Sequence, residues 1–452
     1  MKILLIAQDI DHGTFFSEMA VPLGLCYLAS YVRHHLNEEL AFTIINGDEA
    51  FRPGDYDLIG ISSMSFHFPR AAAKAERIRR EAGVPVILGG PHISALPRTL
   101  PGCFDAGVIG EGEQTFLELV SLVLQEGRFT AASLEKIKGI AYHHEGRVTL
   151  TPPRLLIEDM GTIPRPDRRL WDLSGKMKQI FSGRGCPCRC RFCAMPDSHY
   201  RKFPLDSVIS ELLFLRSEYQ TGAVLFQDEI LSMKKQWLCD LLGRMKEHNL
   251  HREMAYFVSS RADIIDEEMA DIYREMNVKC VFIGIESGSE KILRYLKSGN
   301  MPIRTVQRAL DLLAARDIQV EGSFIIGSPD ESPGDMKETY EFIYENHRSG
   351  KLDMVSVFAL VPFPGSAVWD EAMERGIVSE DMDWSRLTSM PIFQFDPERY
   401  LYLNRKMPRE EFTEIVSLFR QLMATVCSRG IARFRKNILD PMGVKDLVPE
   451  QG

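Results

Sequence analysis

The sequence contains no apolar run approaching the roughly 20 residues that a helix needs to cross a bilayer. Its start, Met1-Lys2-Ile3-Leu4-Leu5-Ile6, enters a strand pattern directly instead of the basic and apolar stretch of a signal peptide, so a cytoplasmic protein is expected. An excess of positive charge is also missing. The 54 Lys and Arg against 63 Asp and Glu leave a net charge of −9, which speaks against a nucleic-acid binder, because phosphate contacts need a basic face. A disulfide framework is missing too: the nine cysteines are odd in number and four of them crowd between Cys186 and Cys193, which fits a reducing compartment and metal binding. What is present is ordinary for a soluble chain. Of 452 residues, 45% are hydrophobic and 26% charged, with length enough for two or three domains.

The most informative stretch is Gly183-Arg184-Gly185-Cys186-Pro187-Cys188-Arg189-Cys190-Arg191-Phe192-Cys193, which follows a strand-like run. Cys186, Cys190 and Cys193 are spaced x3 then x2, so one loop can bring three thiolates to one metal centre. A cubane cluster normally takes four cysteines, and three would leave one iron open to a non-protein ligand. Zinc is the rival: a closed zinc site wants four ligands, usually as two separated knuckles, and there is no second Cys pair, so Cys188 or His199 would have to complete it. Cys188 reads as a spare thiol, since a fourth thiolate would close the open iron. Cys-x3-Cys-x2-Cys with Phe192 before the last cysteine resembles the radical S-adenosylmethionine enzymes. That resemblance implies a [4Fe–4S] cluster on Cys186, Cys190 and Cys193. It also implies S-adenosylmethionine chelating the open iron beside Phe192, and cleavage to a deoxyadenosyl radical.

Upstream, to about Leu150, short apolar runs alternate with helical patterns, the signature of a parallel sheet wound by helices. Strands are expected at Ile3 to Ala7, Phe42 to Asn46, Leu58 to Ser62, Val86 to Leu88 and Gly107 to Ile109, with helices over Leu25 to Leu36 and Arg70 to Glu81. Glycines follow the later strands, where an open sheet binds ligands, although each pair by itself also reads as a tight turn. Their order, with Pro22-Leu23-Gly24-Leu25-Cys26-Tyr27-Leu28-Ala29, resembles the cobalamin-binding domain found upstream of many radical S-adenosylmethionine enzymes. The resemblance implies that Ser62, Ser63, Gly89, Gly90, Gly110, Glu111 and Gly112 line cobalamin. The Asp-x-His-x-x-Gly motif that supplies a lower cobalt ligand elsewhere is absent, and Asp11-His12-Gly13 has the wrong spacing, which implies a cofactor held without a protein histidine on cobalt. His12, His67 and His92 are then either polar contacts or plain surface-loop histidines. Gly139 to Thr149 reads as a β-hairpin turning at Glu145-Gly146, and the prolines from Pro152 to Pro166 read as a strap.

From Lys178 strand and helix alternate again. Strands are expected at Gln179 to Ser182, Ala223 to Gln227, Ala255 to Ser259, Cys280 to Ile285, Val320 to Ile326 and Met354 to Leu360, an open or partial (β/α)6 barrel with its site at the carboxyl ends. Asp228-Glu229, Ser259-Ser260-Arg261, Glu286-Ser287-Gly288 and Gly327 follow those ends. Such groups can grip an amino-acid end and a ribose, and Asp228 and Glu286 also suit helix caps. Gly284-Ile285-Glu286-Ser287-Gly288, Gly322 to Gly327 and Pro362-Phe363-Pro364-Gly365 resemble elements of cobalamin-associated radical enzymes. By that resemblance Asp228 or Glu229 meets the cosubstrate amino group, Ser259 and Arg261 its ribose or carboxylate side, Glu286 its ribose, and the Ile326 backbone its adenine.

Beyond Met373, Phe412, Ile415, Val416, Phe419, Leu422, Met423 and Val426 form one stripe of a helix, expected to pack on the barrel. The basic run Arg429 to Lys436 reads as a solvated face or as a dock for an anionic group. The expected plan is a cobalamin domain over 1–150, a linker over 151–177, the radical barrel over 178–373 and a helical, substrate-defining extension over 374–452. The expected activity is methylation of an unactivated carbon of a small molecule with a flavodoxin- or ferredoxin-type electron donor. The alternatives are a cyclisation or rearrangement with the same cofactors, or a non-catalytic sensor.

Overall fold

The computed structural model describes residues 1–8, 21–47, 49–171, 177–299, 301–388 and 390–434. His12 and its neighbours, and the distal part of the basic run toward Lys436, lie outside the described residues. The chain forms two compact units. One comprises Met1–Ser174 with Phe363–Gly365 and Val378–Thr388, and the other Gly175–Pro362, Ser366–Ile377 and Ser389–Gly452. Among the described residues no helix is long and apolar enough to cross a membrane.

In the first unit, strand β1 (Lys2–Ala7) is buried from Ile3 onward, as expected of a parallel strand covered by helices on both faces. It pairs in parallel with β2 (Ala41–Asn46) on one side and β3 (Leu58–Ser62) on the other. β4 (Val86–Gly89) and β5 (Ala106–Val108) continue the parallel sheet, giving the order 2-1-3-4-5. This is the flavodoxin-type member of the doubly wound folds, whose strand order reverses between β1 and β3. The hairpin β6 (Ile140–His144) and β7 (Arg147–Leu150) adds antiparallel to β5. Glu145 and Gly146 both have positive φ, 50° and 75°, as a two-residue hairpin turn matched to strand twist requires. The strap after it is tied down by buried Met160, Ile163 and Arg168 and by an Arg33–Asp167 ion pair. The returning segment Val378–Thr388 brings Trp384 edge-on to His92, with ring centroids 4.9 Å apart.

In the second unit, β8 (Met177–Ile180), β11 (Ala223–Phe226), β12 (Ala255–Ser260), β13 (Val278–Glu286), β14 (Gln319–Ile326) and β15 (Met354–Ala359) lie side by side in chain order, all parallel. The short strand β16 (Met390–Pro391) closes the β15 edge antiparallel. The first strand was expected to reach Ser182 and stops at Ile180. Ser182 leaves the ladder because its backbone N–H and its hydroxyl both donate to the Asp228 carboxylate, at 2.9 and 2.8 Å. Ser332 caps the helix Pro333–Arg348 in a reciprocal capping box with Asp335, and Pro333 takes the first helical position. Pro302 stands one place earlier relative to its helix, at the cap of Ile303–Ala314. The helix Arg409–Phe434 lays its expected stripe inward, with Phe412, Val416, Phe419, Leu422, Met423 and Val426 buried and Ile415 at the stripe's edge. Phe419 meets Tyr340 edge-on at 5.7 Å, and the Cys427 thiol donates to the Val355 carbonyl.

Candidate functional site

The cysteine loop leaves the carboxyl end of β8 and is closed at its base by a two-stranded ribbon, β9 (Gly183–Arg184) against β10 (Arg201–Lys202). Gly185 has φ +87°, and a Cβ there would lie 2.2 Å from the His199 carbonyl oxygen, so the chain crosses itself at a point only glycine permits. Below the crossing, Lys202 Nζ reaches the Ser182 hydroxyl at 2.6 Å, the Leu231 carbonyl at 2.6 Å and Asp228 Oδ1 at 3.2 Å. Burial works against both charges, lowering Lys202 and raising Asp228, while the donors around the carboxylate offset it. Asp228 therefore spends its oxygens holding the loop's base. The neighbouring Glu229 is solvent-accessible, and partial desolvation followed by the Asp228 charge raises its pKa.

The far side of the loop is clamped through Arg191. Its N–H donates to the Leu296 carbonyl at 2.8 Å and its carbonyl accepts from Val368 at 3.1 Å. Its guanidinium lies over the Tyr295 ring, 4.7 Å from the centroid, and reaches Glu371, which also accepts from the Tyr295 hydroxyl. Between these anchors Cys190 is buried, and Cys186, Cys188, Cys193 and Phe192 are half-buried. No cysteine is in a disulfide.

The thiols differ electrostatically. Cys186 is brought down to about 7 by a hydrogen bond from Cys188, with burial opposing, and the same contact together with burial pushes Cys188 up. Burial raises Cys190 and Cys193. The Lys297 and Arg261 charges pull Cys190 back, and the Met195 N–H, 3.4 Å from the sulfur, pulls Cys193 back. Among the described residues no group of three or more His, Cys, Asp or Glu side chains gathers around a point suited to one ion. A cubane asks for one thiolate per iron at separate corners, and three free cysteines on one anchored loop beside two cations fit that donor set.

Groups at the β12 and β13 ends act on the loop, and the other strand ends have partners of their own. Arg261 Nη1 lies 3.9 Å from the Cys190 sulfur while its other nitrogens grip Asp263 at 2.9 and 2.7 Å. Glu286 ends β13 with φ +71°, where the register against β14 slips, and its Oε1 accepts from Lys297 Nζ at 2.7 Å. Ser259, half-buried, accepts from the Leu231 N–H through its carbonyl. Past Ile326 the Gly327 and Ser328 N–H groups both donate to Glu331 Oε2, at 2.6 and 2.9 Å. Lys297, Lys202, Ser182 and the Arg191 clamp had no sequence signal, being ordinary side chains made important by a distant neighbour.

In the first unit Ser63, Gly89, Gly90 and Gly110 are linked. The Ser63 N–H donates to the Gly89 carbonyl, and a Cβ on Gly90, φ +97°, would lie 2.8 Å from Ser63 backbone atoms. Ser94, which the sequence did not flag, donates to the Gly90 carbonyl and accepts from the Gly110 N–H, joining the β4 and β5 ends. Gly112 abuts Leu28, and Ser62, Glu111 and Gly112 are half-buried. Close backbone approach at three adjacent strand ends suits a large flat cofactor. His92 is a correction. It is no surface-loop histidine but fully buried, bonded to Ser65 and Thr99 and stacked on Phe68 at 3.8 Å.

A doubly wound unit with glycine-lined strand ends, and an open parallel sheet carrying a three-cysteine loop at its carboxyl edge, are the two units that the resemblance to cobalamin-associated radical enzymes implies. Family comparison agrees: residues 180–343 match the radical SAM superfamily and residues 17–120 the B12 binding domain. The chain is 31% identical over 90% of its length to an uncharacterized methyltransferase of Pyrococcus horikoshii, covering 91% of that protein. It is 22% identical to a bacteriochlorophyllide d C-8(2)-methyltransferase of Chlorobaculum tepidum, over 89% of this chain and 87% of that one. Its fold is similar to the methyltransferase TsrM from Kitasatospora setae, with TM-score 0.66, 19% identity and coverage of 83% of this chain and 76% of that one. It is also similar to the cobalamin-dependent radical enzyme OxsB, with TM-score 0.62, 16% identity and coverage of 93% and 61%. The chain belongs to the cobalamin-dependent radical S-adenosylmethionine methyltransferase family, whose cofactors are a [4Fe–4S] cluster, S-adenosylmethionine and cobalamin.

Proposed function

We propose that this enzyme methylates an unactivated carbon of a small-molecule substrate, in a reducing cytoplasm and with a flavodoxin- or ferredoxin-type electron donor. The observation that carries this reading is one chain bearing both the anchored three-cysteine loop at the end of β8 and the glycine-lined ends of β3, β4 and β5. When bound, the cluster with S-adenosylmethionine supplies a carbon-centred radical and cobalamin a transferable methyl group.

The chain's own residues hold, orient and shield. Cys186, Cys190 and Cys193 would ligate the cluster, with Phe192 on the same loop. Glu229 takes the cosubstrate amino group, in preference to Asp228, whose oxygens are engaged by Ser182 and Lys202. Arg261 and Ser259 serve the carboxylate and ribose side, Glu286 the ribose, and the Ile326 backbone the adenine. In the first unit Ser62, Ser63, Gly89, Gly90, Gly110, Glu111 and Gly112 cradle cobalamin.

A second reading keeps this machinery and ends in ring closure. It is supported by 28% identity, over 83% of this chain and 70% of the relative, to an anaerobic magnesium-protoporphyrin IX monomethyl ester cyclase of Rubrivivax gelatinosus. The test is anaerobic reconstitution with iron, sulfide and hydroxocobalamin. About four irons and one cobalt per chain are expected, and Cys186→Ala, Cys190→Ala and Cys193→Ala should each lower the iron while Cys188→Ala does not. Zinc in place of iron overturns the reading. Product mass separates the two outcomes, since methylation adds one CH₂ and closure does not.

A further inference from the structure

The pair Lys297–Glu286 is buried more deeply than the reading above requires. The two side chains are 6% and 5% exposed, and Lys297 is the last residue of the helix Glu290–Lys297. A lysine so enclosed has to be paired. The backbone is bent to make the pairing: Glu286 takes a positive φ at the β13/β14 register slip, and its carboxylate folds back over Gly284. A Cβ at Gly284 would stand 2.3 Å from Glu286 Oε1 and 3.3 Å from Lys297 Nζ.

The pair also sits against the cysteine loop. The Arg191 N–H, next to Cys190, bonds to the Leu296 carbonyl, next to Lys297. The charges of Lys297, Arg261 and Glu286 all act on the Cys190 sulfur; Arg261 is paired with Asp263, and Lys297 with Glu286. Lys297 and Glu286 therefore form an opposed couple, cation and anion held at fixed positions beside the most buried cysteine of the loop. Charges in such a poorly solvated place act with much less screening than in water.

We propose that Lys297 is a positioning residue with a second, redox role: it holds the Glu286 carboxylate, and together the two charges set the reduction potential of the cluster on Cys186, Cys190 and Cys193. The proposal rests on the cluster reading given above. One-electron reduction takes an electron from a low-potential donor, makes and breaks no bond, and adds one negative charge to the centre. A nearby cation therefore favours the reduced form and a nearby anion the oxidised form, net charge and local polarity being established levers on iron–sulfur potentials. Lys297 and Glu286 pull in opposite directions, and the native potential is their balance.

The test uses full-length protein reconstituted anaerobically with iron and sulfide, without S-adenosylmethionine or cobalamin. The midpoint potential is read by electron paramagnetic resonance during dithionite titration. Lys297→Met should lower the equilibrium constant for reduction at least tenfold, a drop of about 59 mV for one electron. Glu286→Gln should shift it the opposite way, the double variant should lie nearer the wild type than either single one, and Lys297→Arg should stay close to it. A merely structural pair gives no such opposed signs. Equal potentials in all variants, or a shift of the same sign in both single variants, overturns the proposal while leaving the cluster intact. If Lys297→Met does not retain iron, an upward shift in Glu286→Gln with none in Lys297→Arg supports the proposal, and an absent or downward shift in Glu286→Gln overturns it. A wild-type chain that takes up no iron removes the cluster reading itself, and this proposal with it.

Discussion

Glu331 offers a sharp test of how burial is handled at the end of β14. Its side chain is fully enclosed, Oε2 accepts from the Gly327 and Ser328 N–H groups, and Oε1 has no hydrogen-bond partner among the described residues. Burial pushes its pKa from 4.5 to about 8, with the two backbone donors opposing. In the unfolded chain the carboxyl loses its proton near 4.5, while the native state keeps it to about 8. Between those values the native state binds more protons, so stability is full below the lower value and falls as pH rises through the upper one. At about 1.4 kcal/mol per pH unit the loss is on the order of 5 kcal/mol. Glu331→Gln mimics the protonated acid: its oxygen can accept both N–H groups, and its amide replaces the O–H. The assay is hydrogen exchange of β13 to β15 amides in the apoprotein, read as opening free energy from about pH 5 to pH 9. The wild type should lose stability across the range and Glu331→Gln should be nearly flat. A flat wild type, or an unchanged slope in the variant, refutes the reasoning.

Lys202→Met leaves Asp228 buried with only the Ser182 donors, a loss of about 3–5 kcal/mol. Urea unfolding should show it, with Lys202→Met/Asp228→Asn recovering part. Gly185→Ala places a Cβ 2.2 Å from the His199 carbonyl at φ +87°, so it should cost at least the about 1–2 kcal/mol of a left-handed non-glycine residue and reduce iron retained after reconstitution. His92, held neutral by burial, has its pKa lowered from 6.5 to about 4. The unfolded chain binds that proton first, so its contribution is full above 6.5 and is lost as pH falls toward 4, about 3 kcal/mol in all. His92→Phe should blunt acid unfolding of the first unit, measured by exchange of β3 and β4 amides.

The elements that carry the candidate site follow largely from local sequence pattern. The cysteine spacing is local, so the loop that would carry the cluster could be found from its residues alone. The strand ends were legible because parallel strands buried on both faces announce themselves as apolar runs, and whatever follows each run must lie at the same edge of the sheet. That rule puts Ser259, Arg261 and Glu286 at strand ends, which is where the structure has them. His92 was misread because a polar residue after Gly90-Pro91 looks like loop surface. Only the fold places Ser65, Thr99, Phe68 and Trp384 around it.

The division follows the range of the physics. Strand and helix periodicity, the Glu145-Gly146 turn and the three-cysteine loop depend on residues a few positions apart, and the sequence by itself determined them. The pairing of Asp228 with Ser182 and Lys202, of Glu286 with Lys297, and of Arg191 with Tyr295 and Glu371 was decided by the tertiary structure. Each of those is a charge or hydrogen bond between side chains remote in the chain. Its value comes from desolvation, and burial is a property that no residue has until the tertiary structure closes around it.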